Sequence, residues 1–502
     1  MKYALHALEW EAKEKRPLDL RGWNLNIENV EVLYVYGFHE SAYEYLLPWL
    51  RENVERRLIF LEDDTGILAR GLYLEDPQVE VEWLHGDILQ ELAERYPAKC
   101  IEVIGLPGKQ TRKLRLQLLR RTTLSHALFI DRLHGYQPFQ NFVLNLPHTK
   151  HAFYANRLRF PNVPAIICGA GPSLQKDIET LRSLENKALI IAGGSAIAAL
   201  SSVGIIPHFA MAIDPNLEEY RRLRNSFAFE CPFLFSTRLF PGVFRTCNGP
   251  FGYMRTGIGG ACELWLEEEL GLTDPLIGEH LSDESISVTA ICQAFAQHVG
   301  CNPIIFTGVD LAYTDGQRYA AGVSDEETKF KEIDDKKSAA DRILRRKDKQ
   351  GNWVHTAVRW MMEGKSLAHY AKKHPEIEWV NATQGGLRIK GMKEGRLEDM
   401  KFGELDLRKL VREQIAMHPM PKAEKDLLGE LKESLERMMG YLEVLAGQKR
   451  GSGPLAELEM KEELVASILF YDMDKVLKQS RKEKWNTYLE IAKKYLQMLH
   501  KF

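Results

Sequence analysis

The chain lacks the long apolar run that a membrane-spanning helix needs. No stretch of its 502 residues approaches the ~20 apolar residues that cross a bilayer. The N-terminus, MKYALHALEWEAKEKRP, has acidic residues where a secretory signal peptide would have its apolar segment. The sequence therefore predicts neither a membrane span nor secretion, and we expect a cytoplasmic protein.

An excess of one charge and closely paired cysteines are also missing. Lys and Arg number 67 against 70 Asp and Glu, and this balance argues against a general nucleic-acid binder, which usually carries a dominant basic surface. The 7 cysteines include no Cys-x-x-Cys pair. Reduced thiols in a cytosolic protein fit this spacing better than a disulfide framework or a zinc site does.

The strict phosphate-binding motifs are absent as well. The turn GAGPS at 169–173 has no Gly-Lys-Ser/Thr ending, so it is not a Walker loop. Leu174 stands where GxGxxG would have its third glycine. An earlier turn, GFHE at 37–40, has one glycine where a dinucleotide fingerprint has three. These departures favour a scaffold over a nucleotide site in the first ~155 residues, and leave the later turn as the better candidate.

What the chain does contain is a series of strands alternating with helical runs, which predicts an α/β fold. Its length exceeds what one hydrophobic core usually serves. We predict a smaller Rossmann-like α/β domain at 1–155, a central Rossmann-like domain at 156–400 and a helical domain at 401–502, where apolar residues recur every three or four positions. The charge-dense stretch 329–350 lacks an apolar stripe and suggests a lid or linker.

The stretch 164–216 organises the central domain. A strand at 165–168 runs into the GAGPS turn and a helical pattern, so backbone amides at the helix start would face an anion. A second strand ends in GGS at 193–195 and a third in DPN at 214–216. Ligands of open parallel sheets bind beyond the carboxyl ends of the strands, so we expect these three ends side by side at a ligand crevice.

Two aromatic hydroxyls follow a later strand. Tyr313 and Tyr319 lie six residues apart, just after the strand 302–307. Such hydroxyls could donate to one phosphate without a metal ion. Equally, both rings could be buried with their hydroxyls left in water.

These motifs carry a resemblance. GAGPSL, AIDPN, GVDLAYTDGQRYAAG and NATQGGLRIKG look like those of the MptE-like family of motility-associated factors, whose bacterial members include flagellin nonulosonic-acid glycosyltransferases. The motifs extend over about half the chain. The central domain is also similar to bacterial sialyltransferases, which use CMP-activated sugars in a modified Rossmann fold.

The resemblance implies roles for individual residues. In comparison with the sialyltransferases, Ala170 replaces an asparagine that contacts the nucleotide. Asp214 replaces another asparagine, which binds the cytidine part of the nucleotide. His355 matches the histidine that begins the helix after the lid, and would act as a general base. The residues predicted to bind the nucleotide are Gly169, Ala170, Gly171, Pro172, Ser173, Gly193, Ser195, Asp214, Asn216 and Asp310, and the predicted catalytic residues are Tyr313, Tyr319 and His355.

The resemblance also implies a reaction. We expect a sialyltransferase-type enzyme that moves a nonulosonic sugar from a CMP-sugar to Ser or Thr of a protein acceptor such as flagellin, with no metal ligands and no further cofactor. Archaeal members of the family are instead 6-hydroxymethyl-dihydropterin diphosphokinases that use ATP and magnesium. The long segments on either side of the central domain favour a macromolecular acceptor. A non-catalytic nucleotide-binding or assembly protein is the third hypothesis, which the substituted Ala170 supports.

Overall fold

A computed structural model of the chain describes residues 25, 27–105, 109–133, 136–224, 226, 230–282, 284–285, 287–323, 338–466 and 481–500. These residues form two compact units. The first contains the described residues up to 130 together with 338–345 and 355–362, and the second contains those of 131–323, 346–354 and 363–500. The predicted domain limits at 155 and 400 stay predictions.

The first unit is built on a four-stranded parallel sheet with the order β3-β2-β1-β4. Its two faces are both covered, by α1 and α2 on one side and by α3 and α4 on the other. Because both faces are buried, β1 is apolar along its whole length instead of alternating with polar residues. The strands are β1 (Val32–Tyr36), β2 (Arg57–Glu62), β3 (Val79–Trp83) and β4 (Ile101–Gly105), and the helices are α1 (Glu40–Arg51), α2 (Thr65–Gly71), α3 (Ile88–Arg95) and α4 (Lys109–Leu133).

The second unit is built on a nine-stranded sheet in which each neighbouring pair is parallel. Its strand order is β15-β14-β11-β6-β7-β8-β9-β10-β5. These strands are β5 (Phe153–Tyr154), β6 (Ala165–Cys168), β7 (Leu189–Gly193), β8 (Phe209–Ala212), β9 (Phe233–Phe235), β10 (Phe251–Tyr253), β11 (Ile304–Thr307), β14 (Trp379–Asn381) and β15 (Lys393–Glu394).

Helices lie on both faces of this sheet. Side chains of α6 and α7 join the main core on one face, and on the other face Phe295 of α10 packs its ring 5.1 Å from that of Phe209 in β8. Short 3₁₀ helices lie at Ala155–Arg157, Pro172–Asp177, Pro241–Arg245 and Leu397–Asp399. The remaining α-helices are α5 (Tyr136–Thr149), α6 (Ile178–Ser183), α7 (Ser195–Ser202), α8 (Leu217–Leu223), α9 (Gly260–Glu269), α10 (Val288–His298), α11 (Val358–Lys373), α12 (Leu407–Met417), α13 (Leu427–Leu445), α14 (Gly453–Glu462) and α15 (Arg481–Leu499).

The C-terminal part of the chain is helical, as predicted. One apolar cluster joins α13, α14 and α15 to α5 and α9, and within it the rings of Phe139 and Tyr495 lie 5.0 Å apart. The α/β fold class with a helical C-terminal region is therefore confirmed. None of the described helices is long and apolar enough to cross a bilayer.

The predicted lid is only partly a loop. Residues 329–337 lie outside the described residues, but the charged stretch that follows includes strand β12 (Ile343–Lys347), which pairs with β13 (Trp353–Ala357) in a separate two-stranded sheet. The strands of a small sheet that leaves one face in water need no continuous apolar stripe. The absence of an apolar stripe therefore did not show that this segment contains a strand.

Candidate functional site

The candidate site lies at one edge of the second unit's sheet. The carboxyl ends of β8, β7, β6, β11 and β14 are neighbours there, and Cys168 at the end of β6 pairs with Ala192 on one side and Thr307 on the other. The chain proceeds from β6 outward to β10 and then returns to β11 on the opposite side. The point where the order reverses, between β6 and β11, is where open α/β sheets bind ligands.

The predicted strand ends do meet at this edge. The turns at 169–173, 193–195 and 213–216 follow adjacent parallel strands, so the expectation that they lie side by side is confirmed. The loops at 308–319 and 382–386 follow β11 and β14 at the same edge.

The turn after β6 is packed against backbone of the loop after β11. The Gly169 amide donates to the Thr307 carbonyl at 2.8 Å, and the Gly171 amide donates to the Gly308 carbonyl at 2.7 Å. A Cβ atom at either turn glycine would overlap the Gly308 carbonyl. Both glycines are thus required by a close approach of two protein loops.

A buried carboxylate completes this contact. Asp310 Oδ1 accepts from the Ser173 hydroxyl at 2.5 Å, and Oδ2 accepts from the Ser173 amide at 3.2 Å. Both residues are fully buried, and burial raises the pKa of the Asp310 carboxyl. In this structure the negative group facing the helix start is therefore the protein's own carboxylate.

A second carboxylate at the same edge was missed by the sequence analysis. Asp177, the last residue of the 3₁₀ helix, accepts from Thr307 Oγ1 at 2.5 Å and from Gln384 Nε2 at 2.6 Å. Its side chain is buried, and burial raises its pKa. Gln384 belongs to the NATQGG motif, which was a sequence signal for this loop, but Asp177 itself stands in no motif.

The loop that carries the two tyrosines is tied to the turn after β6. The Ala320 amide donates to the Ala170 carbonyl at 2.8 Å. The guanidinium carbon of Arg318 lies 4.9 Å from the centre of the Tyr319 ring. Tyr313 and Tyr319 are both half-buried. The structure thus brings this loop and the GAGPS turn together, while the roles of the two hydroxyls stay predictions.

The next strand end has a packing reason for its glycine. A Cβ at Gly193 would approach Val288 Cγ1 to 2.8 Å and Cys292 Sγ to 2.9 Å, so a side chain there would force α10 away from the sheet. Gly194 has a φ of 52° and caps α7, whose first residue is Ser195. Contacts of Gly193 and Ser195 with a nucleotide stay predictions.

The loop after β8 is fixed by neighbouring elements. The Phe240 amide donates to the Asp214 carbonyl at 3.1 Å, and the Asn141 side chain of α5 donates to the Pro215 carbonyl at 2.8 Å. The Asp214 side chain is half-buried, and Asn216 is exposed. The loop therefore holds both residues at the edge where they were predicted to act.

His355 lies in the strand β13. It belongs to the first unit, whereas the other predicted site residues belong to the second. It was predicted to begin a helix, but α11 begins at Val358 and His355 lies within strand β13. Pairing of β13 with β12 keeps this segment extended. A catalytic role for His355 stays a prediction.

All 7 cysteines are free thiols, and all but Cys100 are buried. In the described ranges, no three His, Cys, Asp or Glu side chains are grouped so that they could hold a metal ion.

Comparison with known proteins gives three findings. Residues 140–316 match the model of a family described as 6-hydroxymethylpterin diphosphokinase MptE-like. An uncharacterized protein of Treponema pallidum (strain Nichols) is 36% identical over 85 residues, which are 16% of this chain and 39% of that protein. The chain therefore spans well under two thirds of this relative.

A solved structure is also similar to the chain. It is described as the MAf glycosyltransferase from Magnetospirillum magneticum AMB-1, and is 15% identical with a TM-score of 0.49 over 94% of this chain and 78% of that one. A likeness at this level supports no conclusion about activity.

The family match contains most of the candidate site. It includes the GAGPSL and AIDPN motifs and the loop after β11 as far as residue 316, and it ends before Tyr319 and the NATQGG loop. Residues 140–316 are thus similar to the MptE-like family, as the motifs predicted.

Proposed function

We propose that the protein is a glycosyltransferase of sialyltransferase type. Its donor is a CMP-activated nonulosonic, sialic-acid-like sugar, and its acceptor is a Ser or Thr hydroxyl of a protein such as flagellin. The observation that supports this most is the meeting of the tyrosine loop with the GAGPS turn at the switch point of the sheet, through the bond from the Ala320 amide to the Ala170 carbonyl.

In this proposal the phosphate of CMP lies at the two tyrosines. Their hydroxyls donate to it as negative charge develops on the leaving group, a form of stabilisation that requires no metal ion. The Arg318 guanidinium over the Tyr319 ring adds positive charge beside this position. The buried Asp310 carboxylate at the Ser173 amide disfavours a phosphate deeper in the turn. The nucleoside then follows the turn toward Asp214.

His355 is the proposed general base, on the strength of its sequence motif. Its imidazole would accept the proton of the acceptor hydroxyl while that oxygen bonds to the anomeric carbon of the sugar. The bond between this carbon and the phosphate oxygen breaks at the same time, and CMP leaves with the electron pair. Histidine is the side chain that most often serves as a general base in enzymes.

The family description favours a second candidate, pyrophosphate transfer from ATP to a pterin alcohol. That chemistry uses magnesium, for which carboxylates are the usual protein ligands. At the candidate edge, Asp177 and Asp310 already accept bonds from Thr307, Gln384 and Ser173. The described residues therefore do not fit a magnesium site.

Isothermal titration of the full chain distinguishes the candidates. Selective binding of CMP supports the transferase, whereas binding of ATP with magnesium together with a pterin alcohol supports the kinase. If no nucleotide binds, the third hypothesis, an assembly protein, is favoured.

A tyrosine variant tests the phosphate position. The double substitution Tyr313→Phe, Tyr319→Phe should weaken CMP binding about tenfold or more, since it removes hydrogen bonds to a charged group. Tyr73→Phe, at an exposed tyrosine of the first unit, is the control. Unchanged CMP affinity in the double variant would place the phosphate elsewhere.

A further inference from the structure

Asp310 follows the strand that leads to the tyrosine loop, and its carboxylate is used within the protein. Both of its oxygens accept from Ser173, one from the hydroxyl and one from the amide. The residue is 2% exposed. A carboxylate in this position offers a ligand almost no surface, although the sequence predicts that it contacts the nucleotide.

The backbone around Asp310 is held just as closely. The Leu387 amide donates to the Asp310 carbonyl at 2.8 Å. Gly386, with a φ of 68°, passes so near that a Cβ there would overlap this carbonyl, and a Cβ at Gly171 would overlap the Asp310 carboxylate. Loops that follow β6, β11 and β14 thus converge on one residue, which precedes Tyr313 by three positions.

Asp177 acts in parallel at the other end of the same 3₁₀ helix. Its bonds to Thr307 and Gln384 join that helix to the end of β11 and to the loop after β14. The segment Pro172–Asp177 is therefore bound to the β11 side of the crevice near both of its ends, by Ser173 and by Asp177.

We propose that Asp310 is a positioning residue for the tyrosine loop and not a nucleotide ligand. Through Ser173 it fixes the loop after β11 against the turn after β6, and so sets where the hydroxyls of Tyr313 and Tyr319 stand. Holding donors in place before the ligand arrives lowers the entropy cost of binding. The inference rests on the proposed function for the identity of the ligand.

The test uses the full chain with Asp310→Asn, Ser173→Ala and the double variant. Gly403→Ala is the matched control, because a Cβ there has no neighbour within 4 Å. Titration with CMP measures affinity, and hydrogen exchange without ligand measures protection of peptides from 311–319. Each single variant should weaken CMP binding about tenfold, and the double variant should be no worse than the stronger single one, since both substitutions weaken the same contact between the two residues. Exchange in the tyrosine loop should be faster in all three.

Two results would overturn the inference. Additive losses, about a hundredfold in the double variant, would mean that Asp310 and Ser173 contact the nucleotide independently. Unchanged exchange in the tyrosine loop would mean that Asp310 does not hold it. If the wild-type chain fails to bind CMP, the proposed function fails, while the exchange experiment still decides the positioning role. Ser173→Ala, the milder change, keeps that experiment usable if Asp310→Asn does not fold.

Discussion

The two units can be compared at one turn each. In the first unit it is the turn after β1, and in the second it is the turn after β6, because the strand order of each sheet reverses beside that strand. In the first unit Tyr36, the last residue of β1, pairs with Leu61, and the next residue of that neighbouring strand is Glu62. In the second unit Cys168, the last residue of β6, pairs with Ala192, and the next residue is Gly193. Equivalent positions therefore carry a carboxylate in one sheet and a glycine in the other.

In each unit a carboxylate accepts hydrogen bonds from the turn, but the two carboxylates come from strands on different sides of it. Glu62, fully buried, accepts from the amides of Phe38 at 2.8 Å, Asp63 at 2.9 Å and Asp64 at 2.8 Å. It thereby binds the β1 turn to the strand that lies away from the switch point. Asp310 reaches the β6 turn from across the switch point. This bond joins the two loops that border the proposed ligand site.

The difference indicates how each unit uses the same strand order. Glu62 binds the turn after β1 to the neighbouring strand β2. Asp310 instead couples the two loops at which we propose the ligand binds. The comparison favours the second unit as the binding unit and agrees with the weak glycine pattern of the GFHE turn.

The largest effect should come from Glu62→Gln. An amide NH₂ facing one of three backbone donors leaves that donor unsatisfied, and the remaining bonds lose their charged acceptor. We expect a loss of about 3 to 4 kcal/mol in the stability of the first unit. Hydrogen exchange of peptides from β1 and β2 measures it.

Glu82→Gln is the matched control, because this glutamate of β3 is partly exposed and paired with Arg95. Its substitution should cost less than about 1 kcal/mol. Equal losses in the two variants would remove the special role given to Glu62.

A smaller effect should follow from Gly171→Ala. Gly171 has a φ of −67°, which alanine adopts without strain, so the cost arises only from the overlap of a Cβ with Asp310 and Gly308. We expect a loss of about 2 to 3 kcal/mol in the second unit, measured by its exchange protection, together with weaker CMP binding. Gly403→Ala should change neither quantity.

The glycine in the first unit's turn, Gly37, is required for a different reason. Gly37 has a φ of 90°, so Gly37→Ala should cost about 1 to 2 kcal/mol through backbone strain. Asparagine, which tolerates positive φ, should be accepted better at 37 than at 171. If asparagine were accepted better at 171 than at 37, positive φ would not be the constraint at Gly37, nor steric overlap the constraint at Gly171.

Much of the fold could be predicted because apolar runs between turns identify parallel strands. The strand 165–168 and its neighbours are continuous apolar segments, as expected when both faces of a sheet are buried. Their alternation with helices then places the strand ends at one edge. These rules require only local sequence, which is why the positions of the turns were predicted well.

The contacts inside the site could not be predicted in the same way. Ser173 and Asp310 are 137 residues apart, and an aspartate after a strand can equally bind a ligand or another loop. Asp177 acquires its role from a 3₁₀ turn, whereas a regular helix was predicted there. His355 was placed at a helix start because its own short strand, β13, follows a charged, largely half-buried strand and has no clear apolar signature.

A last prediction concerns a difference in acid sensitivity between the units. Among the described residues the buried histidines, His208 and His374, both belong to the second unit. His208 accepts from the Ile190 amide at 2.9 Å through Nδ1. Its burial, and next the positive charge of Arg408, lower its pKa to about 3, against a partly opposing hydrogen bond with the Glu185 backbone.

The sign of the effect follows from this lowered pKa. Below about pH 6.5 the unfolded chain binds a proton at His208 that the folded chain does not, so stability falls as the pH falls. At ~1.4 kcal/mol per pH unit, the loss of folding free energy between pH 6.5 and 5 is about 2 kcal/mol.

In the variant His208→Asn, whose amide oxygen can still accept from the Ile190 amide, this part of the loss should vanish. Urea unfolding followed by exchange of peptides from β7 and β8 measures it at each pH. His85→Asn, at an exposed histidine of the first unit, should leave the wild-type pH dependence in place. If the stability of the second unit depends on pH in the same way with and without His208, the difference between the units has another cause.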